Sequence, residues 1–336
     1  MNIEAKKLYE EGLIQFRKEH WKMAEERFSR ALHFTPREIN VLEALASTVA
    51  LLGDNVRAKK YFFQAIKLSK SSPSISLLNN FAHLLQRMED FDQAIVQFRR
   101  LLKQAPKFAK GWSNLGECYL NQKKIGMAVK CYERCQTLEP DKNEILNSLS
   151  YCYHTLCQWD KAHIVDEILL KISTEKIKSG GPALLGSFPA LFVKTNAETL
   201  KLIAQSHSRD LVRKQKVQGI ALPKVTRKPY DGERIKLGYF SVALSNHPTT
   251  QLIHDMFQHH DHSKFEIFIF AITNQKKCSK YYHIKESVEN FYELNSLNHF
   301  ECAEFIQSKA LDILVDLDGV IKNNRKSALS LKPAPI

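Results

Sequence analysis

A histidine stands where a predicted strand gives way to a predicted helix. The segment 234–241 alternates apolar and polar side chains, as a strand does, and the chain then breaks at Asn246-His247-Pro248. Pro248 suits the first position of a helix, which leaves His247 directly before it. Open α/β sheets bind ligands where such strands end, and imidazole can hold or transfer a proton near neutral pH. We therefore expect His247 to lie at a binding cleft.

Three other groups of side chains have the types that bind metals. Asp316-Leu317-Asp318 has the spacing with which paired carboxylates hold Mn²⁺ or Mg²⁺ on a diphosphate. The run His-His-Asp-His at 259–262 contains zinc ligands but lies at a predicted turn between a helix and a strand. Cys131 and Cys135 share one predicted helix that has to pack against its neighbours. We interpret the histidines and cysteines as structural, and the aspartate pair stays open at this point.

Strands alternate with helices around these residues. The run 265–272 predicts a buried strand, 301–309 a helix, and 313–317 a further buried strand that ends in Asp318-Gly319. Such alternation indicates a parallel, Rossmann-like sheet. The last third of the chain is therefore predicted to be an α/β domain.

The first half of the chain repeats itself with a period of about 34 residues, which is typical of tetratricopeptide (TPR) repeats. The fourth unit shows the pattern most completely, with Trp112, Leu115, Gly116, Tyr119, Ala128, Tyr132 and Pro140. Small residues such as Gly12 and Gly116 would let paired helices approach closely, while Phe28, Phe62 and Tyr132 would fill the seams. Stacked repeats bury one continuous core and leave a concave groove along the first helix of each pair.

These patterns predict three segments. About five TPR repeats, forming an α-helical solenoid, occupy residues 5–174, a helical linker occupies 175–231, and a partial Rossmann-like half domain occupies 232–336. Gly180-Gly181-Pro182 ends the repeats, and a helix is expected from about Asn196 to Gln215. Pro223, Pro229 and Asp231-Gly232 then lead into the first strand.

The bulk composition is that of a globular protein. We find no signal-peptide pattern and no apolar stretch that could cross a membrane, and the seven cysteines include no Cys-x-x-Cys pair, so we expect reduced thiols in the cytoplasm. The net charge of +13 is partly concentrated in 209–236. Such a patch could meet nucleic acid, acidic protein segments or anionic lipid. Aromatic residues are scarce there, so we favour a solvated linker face and consider nucleic acid unsupported.

Three motifs resemble a known family. GYFSVALSNHPTTQLIHDMF, KFEIFIFAI and DILVDLDGVIKNNRKSALSLKPAPI are similar to the N-terminal half of the catalytic region of the TPR-containing protein O-GlcNAc transferases, which include the plant SPINDLY proteins. The resemblance covers residues 232–336 and implies one of the two facing Rossmann halves of a GT-B glycosyltransferase. It also implies transfer of GlcNAc from UDP-GlcNAc to Ser or Thr of proteins held by the repeats, without a tightly bound cofactor and without a metal.

The resemblance assigns roles to particular residues. His247 matches the family's cleft histidine, which acts as a base or as a ligand to the donor or the acceptor. Asn80 and Asn114 match a ladder of asparagines that grips the substrate's backbone, since an amide both donates and accepts. Asn246, Gly319 and Arg325 match the loops of the cleft. The other three ladder positions hold Glu10, Ala44 and Ser148.

The chain also departs from the family. Ala243-Leu244 replaces an Asp-Phe pair, Asn290 replaces a second histidine, and Val320 replaces Tyr or His. The sequence ends before the family's donor-binding half, so we expect impaired catalysis in this chain alone. Two hypotheses follow: an O-GlcNAc transferase-like protein, or a non-catalytic TPR adaptor that binds protein or peptide segments in its groove. The sequence leaves the oligomeric state open.

Overall fold

A computed structural model describes residues 2–70, 72–226, 232–273, 276–319, 321 and 324–336. The chain divides into two compact units, Met1–Ile168 and Leu169–Ile336. Within the described ranges, no helix combines the length and apolar character that crossing a membrane would require.

The first unit is built from helices that pack in consecutive pairs. In pairs one to four, α1 packs on α2, α3 on α4, α5 on α6 and α7 on α8, and the second helix of each pair contacts the first helix of the next. This arrangement confirms the predicted TPR architecture. The helices are α1 (Ile3–Arg17), α2 (Trp21–Phe34), α3 (Ile39–Leu51), α4 (Asn55–Leu68), α5 (Ile75–Arg87), α6 (Phe91–Gln104), α7 (Ala109–Asn121), α8 (Ile125–Leu138), α9 (Leu146–Thr155) and α10 (Trp159–Lys178), the last of which ends in the second unit.

Two glycines allow the closest helix contacts within pairs. A Cβ atom added to Gly12 would lie 2.5 Å from Cε1 of Phe28, and one added to Gly116 would lie 2.9 Å from Cε1 of Tyr132. The aromatic rings therefore occupy the space that a side chain would need, and Phe28 is fully buried there. The prediction that Gly12 and Gly116 let the paired helices approach closely is confirmed.

A left-handed residue recurs at the turn between the two helices of each pair. The φ angles are +61° at Glu19, +59° at Glu89, +59° at Lys123 and +55° at Cys157, and Gly53 takes the same position at +91°. The next residue donates its N–H to a carbonyl five residues back, for example Lys124 to Tyr119 at 2.9 Å. This is the hydrogen-bond pattern of a Schellman C-cap, in which glycine is the preferred residue. The repeats therefore carry some backbone strain at four of the five turns.

The second unit continues with a helix and a small sheet. Asn196 caps α11 by accepting the N–H of Thr199, which confirms the helix predicted near this residue. The elements are α11 (Ala197–Val217), β1 (Ile235–Ser241), α12 (Pro248–Ile253), β2 (Phe265–Ala271), α13 (Ser279–Glu286), β3 (Asn290–Glu293), α14 (His299–Ser308), β4 (Ile313–Asp316) and α15 (Lys326–Leu329).

The short apolar segment before α11 is held by polar side chains of the helices on either side. Leu185 donates its N–H to Ser173 of α10 at 2.9 Å, and its carbonyl oxygen lies 2.9 Å from Nε2 of His207. Farther along α11, Gln215 donates to the carbonyl oxygen of Ser327 at 2.6 Å. The helix that follows the repeats is thereby attached to the α/β region.

The four strands of this unit form one parallel sheet in the order β3-β2-β1-β4. Ile235 pairs with Phe265 at the start of β1 and β2, and Leu237 pairs with Ile313 on the other side. The alternation predicted for β1 is confirmed: Leu237 and Tyr239 lie in the core on one face with α13, and Phe240 lies in the core on the other face with α14.

One strand differs from its prediction. The run 313–317 was expected to be a buried strand, but β4 ends at Asp316 and its side chains are half-buried or exposed. The prediction of burial was wrong because β4 is an edge strand, whereas an apolar run of this kind is typical of strands with a neighbour on each side. β2, which lies between two other strands, is buried as predicted.

Candidate functional site

The order of the strands creates a crevice at the carboxyl ends of β1 and β4. From β1 the chain passes to β2 and β3 on one side, and then crosses back to β4 on the other side. The connection that leaves β1 therefore runs to one side of it, and the connection that enters β4 crosses to the other side. In open parallel sheets, ligands bind at this kind of switch point. The loops after β1 and β4 are therefore the candidate site of this unit.

A buried carboxylate joins these two loops. Asp318, 4% exposed, accepts the hydroxyl of Ser241 at 2.6 Å and the N–H of Val242 at 2.7 Å. Burial raises the pKa of Asp318 above its usual value, while the two donors act in the opposite direction. Asp316 in turn accepts the N–H of Asp318 at 2.9 Å. The aspartate pair thus serves as a structural connection, since both oxygens of Asp318 are bonded to protein donors.

The loop after β1 is held by its own polar groups. Thr250 donates its hydroxyl to the carbonyl oxygen of Ala243 at 2.6 Å and accepts the N–H of Ser245 at 3.2 Å. Ala243 and Leu244, which stand where the resemblance implies an Asp-Phe pair, are both buried. The loop is consequently fixed on both sides of the histidine that sequence patterns placed at the cleft.

His247 caps α12, which begins at Pro248 as predicted. Its Nδ1 atom accepts the N–H of Thr249 at 3.2 Å and lies 3.1 Å from the hydroxyl of the same residue. A neutral ring that accepts at Nδ1 carries its proton on Nε2. The ring is half-buried, and its Nε2 bonds to none of the residues that the structure describes. His247 therefore presents one N–H donor at the switch point.

The remaining predicted cleft residues lie on the loops at this same edge of the sheet. Asn246 is exposed and accepts the side chain of Gln251 at 3.3 Å, and Gly319 is exposed with a φ of +53° after β4. Arg325 donates to the carbonyl oxygen of Leu297 at 2.6 Å, which ties the loop after β3 to the start of α15. Val320 lies outside the described residues. The strand ends bring these loops to one edge, and the hydrogen bond of Arg325 to Leu297 gives it a supporting position.

The other candidate metal ligands have separate partners. Nε2 of His260 lies 2.9 Å from the hydroxyl of Tyr239, whereas Asp261 binds Ser263 and Lys264. Cys131 and Cys135 are buried, and burial raises the pKa of Cys131 to about 12. Among the residues that the structure describes, no three His, Cys, Asp or Glu side chains come together as a metal site would need.

A second set of polar groups lies on the first helices of pairs two, three and four. Asn80 donates to Glu43 at 3.1 Å, and the same carboxylate oxygen accepts the hydroxyl of Ser76 at 2.5 Å. Nδ2 of Asn114 lies 3.1 Å from Nε2 of His83. We call Glu43, Asn80, His83 and Asn114 the groove row. The sequence identified the two asparagines through the family resemblance but missed Glu43 and His83, whose positions are polar without any motif.

Comparison with known proteins gives independent family matches. The model for "Glycosyl transferase family 41" matches residues 156–336, and tetratricopeptide repeat models match residues 75–108 and 109–142. The first of these matches covers more than half of the chain.

Curated relatives resemble parts of the chain. A probable UDP-N-acetylglucosamine–peptide N-acetylglucosaminyltransferase, SEC of Arabidopsis thaliana, is 27% identical over 104 residues, which are 31% of this chain and 11% of that protein. The UDP-N-acetylglucosamine–peptide N-acetylglucosaminyltransferase of Caenorhabditis elegans is 30% identical over 107 residues, or 32% of this chain and 9% of that protein. The matched segments thus span about a tenth of these relatives.

One solved structure matches along most of the chain. The K341M mutant of the Thermobaculum terrenum O-GlcNAc transferase covers 89% of this chain and 49% of its own, with 15% identity and a TM-score of 0.42.

Proposed function

The chain belongs to glycosyl transferase family 41, and from this premise we propose that the protein is an O-GlcNAc transferase-like enzyme. The proposed reaction moves N-acetylglucosamine from UDP-N-acetylglucosamine to Ser or Thr hydroxyls of proteins bound by the TPR repeats. The observation that carries this proposal is the position of His247, with Nε2 unbonded within the described chain, at the switch point of the parallel sheet.

The hydrogen bonds of His247 favour one of its two proposed roles. Because Nδ1 accepts from Thr249, the neutral ring has its proton on Nε2 and can donate it to an oxygen of the sugar donor or the acceptor. A base would need an unprotonated Nε2, and the ring would then have to lose its bond to the Thr249 N–H. We therefore propose that His247 binds and orients a substrate oxygen.

The groove row is proposed to hold the acceptor protein. Asn80 and Asn114 each use an amide hydrogen within the row, and their carbonyl oxygens bond to no other described residue. These oxygens can accept N–H groups of an extended peptide whatever side chains it has. The adjacent Glu43 carboxylate favours segments with positive charge nearby.

The donor substrate, the metal requirement and the cellular compartment of this reaction are also proposals. UDP-N-acetylglucosamine is the donor substrate, and no metal is proposed, because the Asp316 and Asp318 carboxylates bond to protein groups. The cytoplasm is proposed as the compartment, with support from the seven cysteines, all of which are free thiols.

Transfer of radiolabelled sugar to Ser- and Thr-containing peptides tests the proposal. His247→Asn is the informative variant, because asparagine is also a good helix cap and keeps the start of α12 while removing the imidazole. We expect this chain to bind UDP and to label the peptide slowly, with the rate lowered about a hundredfold further in the variant. A chain that neither binds UDP nor labels any peptide would exclude transferase activity for these 336 residues.

The adaptor hypothesis is favoured by the buried Ala243 and Leu244, which place apolar side chains where the family resemblance has a carboxylate. Under the adaptor hypothesis, capture of a partner protein depends on the groove row alone. Capture of an acceptor protein should weaken in Asn114→Ala, whose side chain is buried in the row, and remain unchanged in Asn121→Ala, an exposed asparagine at the end of the same helix. Loss of capture in His247→Asn would contradict the adaptor hypothesis.

A further inference from the structure

An open depression of about 470 Å³ lies at the junction of pairs three and four. Its floor is apolar and includes Leu102 of α6, Trp112 of α7 and Met127 of α8. Trp112 is fixed because its indole N–H donates to the carbonyl oxygen of Pro106 at 2.9 Å. Met127 is 52% exposed, so the apolar surface is open to solvent.

Three basic side chains surround this apolar floor: Arg99, Lys103 and Lys130. All three are exposed, and none forms an ion pair with any residue that the structure describes. Elsewhere in the repeats cations are often neutralised, as where Lys59 contacts Asp90 and Lys161 contacts Glu133, each at 2.8 Å. The depression therefore combines exposed apolar surface with positive charge that is not balanced locally.

The neighbouring junctions do not repeat this combination. At the junction of pairs two and three, Phe63, Lys67 and Val96 stand at the positions of the three cations. One pair later the same positions hold Glu133, Thr137 and Ile164. Because the packing requirements of the repeat are the same at each junction, the backbone does not require three cations here.

We propose that this depression is a docking site for an acidic peptide segment with one bulky apolar side chain. The apolar side chain covers Trp112 and Met127, and carboxylates on either side of it meet Arg99, Lys103 and Lys130. An aromatic surface fixed in place and surrounded by unpaired cations is complementary to such a segment in both polarity and charge. The net charge of +13 further favours the approach of an acidic partner.

This docking site is separate from the groove row. The row is formed by the first helices α3, α5 and α7, whereas five of the six residues named here come from the second helices α6 and α8. Occupation of the depression does not require sugar transfer, and the proposal therefore stands independently of the enzymatic one.

Binding of a fluorescently labelled acidic peptide to the whole chain tests the proposal. The probe is a peptide of Glu and Asp residues with one central Phe, and a second peptide has Ser in place of Phe. The double variant Lys103→Glu/Lys130→Glu reverses two cations of the site. Its matched control is Lys60→Glu/Lys67→Glu on α4, which makes the same change of charge: Lys67 is equivalent to Lys103 one pair earlier, and Lys60 is equivalent to Lys130 two pairs earlier.

We expect the double variant at the site to bind the probe at least about tenfold more weakly, since each reversal replaces attraction by repulsion. The control variant should bind within about twofold of the parent, because distant charges are screened at physiological salt. Trp112→Leu introduces the residue type that the two preceding repeats have at the equivalent position, Leu42 and Leu78, and so suits the fold. This variant should bind the Phe peptide more weakly but bind the Ser peptide as the parent does.

Three results would overturn the proposal. Equal weakening by the site and control variants would show general attraction by the basic chain. Equal affinity for the Phe and Ser peptides would show that the apolar floor is not used. Tighter binding of a single-stranded oligonucleotide than of the peptide, lost in the same double variant, would assign the surface to nucleic acid instead.

Discussion

Asn114 of α7 and His83 of α5 contact each other between neighbouring repeats, with 3.1 Å between Nδ2 of Asn114 and Nε2 of His83. Burial lowers the pKa of His83 below its usual value, and the nearby Lys110 adds to this effect while Glu117 opposes it. A neutral ring can accept the amide hydrogen of Asn114, whereas a protonated ring has no acceptor. The contact is therefore formed with neutral His83.

The stability of the repeats should decrease in acid through this histidine. Because the pKa of His83 is lower in the folded chain, the unfolded chain binds the proton more readily. The stabilisation is complete above the unfolded value near 6.5 and is lost as the pH falls from there through the folded value. We expect His83→Gln to reduce the loss of unfolding free energy between neutral and acidic pH, as measured by urea denaturation. The exposed His33→Gln should leave that loss unchanged, and an equal effect of both would contradict the prediction.

Gly12→Ala should destabilise the first pair. The new methyl group would lie 2.5 Å from the ring of Phe28, which has no free space because it is fully buried. Overpacking of this kind costs about 1–3 kcal/mol of unfolding free energy. Gly126→Ala is the matched control in α8, where nothing lies within 4 Å of the added atom, and it should raise stability by about 0.5 kcal/mol. Chemical denaturation of both variants distinguishes a steric cause from a general glycine effect.

Lys123→Gly should stabilise the fourth pair. Lys123 has a φ of +59°, in the left-handed region where a side chain costs about 1 kcal/mol and glycine costs less. The reverse change, Gly53→Ala, should lower the unfolding free energy by a similar amount, because Gly53 has a φ of +91° and no atom near its Cβ position. Thermal unfolding of the two variants should show shifts of opposite sign. Shifts in the same direction would argue against backbone strain at these turns.

Ser241→Ala should weaken the connection between the loops after β1 and β4. It removes the hydroxyl that donates to the buried Asp318, and an unsatisfied buried group costs about 1–3 kcal/mol. Ser263→Ala is a matched change, because Ser263 also donates to an aspartate, Asp261, but both residues are exposed. That variant should lose less than about 0.5 kcal/mol. Equal losses in urea denaturation would show that burial of Asp318 is not the reason.

Part of the candidate site was predictable because its signals are local. The start of α12 at Pro248 and the position of His247 before it depend on φ preferences and capping, which act over a few residues. β3 has no such signal: it has four residues, lies at the edge of the sheet and is at most half-buried, so no run of apolar residues marks it. The same position at an edge explains why β4 is less buried than its sequence predicted.

The sequence by itself determined the repeats, the parallel α/β region and the family, because helix packing at a fixed period and buried strands require particular residue types at regular positions. Only the tertiary structure decided the partners of the polar side chains. The bonds from Ser241 to Asp318 and from Asn114 to His83 join residues 77 and 31 positions apart, and a hydrogen bond at such separation leaves no periodic pattern in the chain. The same reason applies to the three cations around Trp112, which come together only when α6, α7 and α8 are packed.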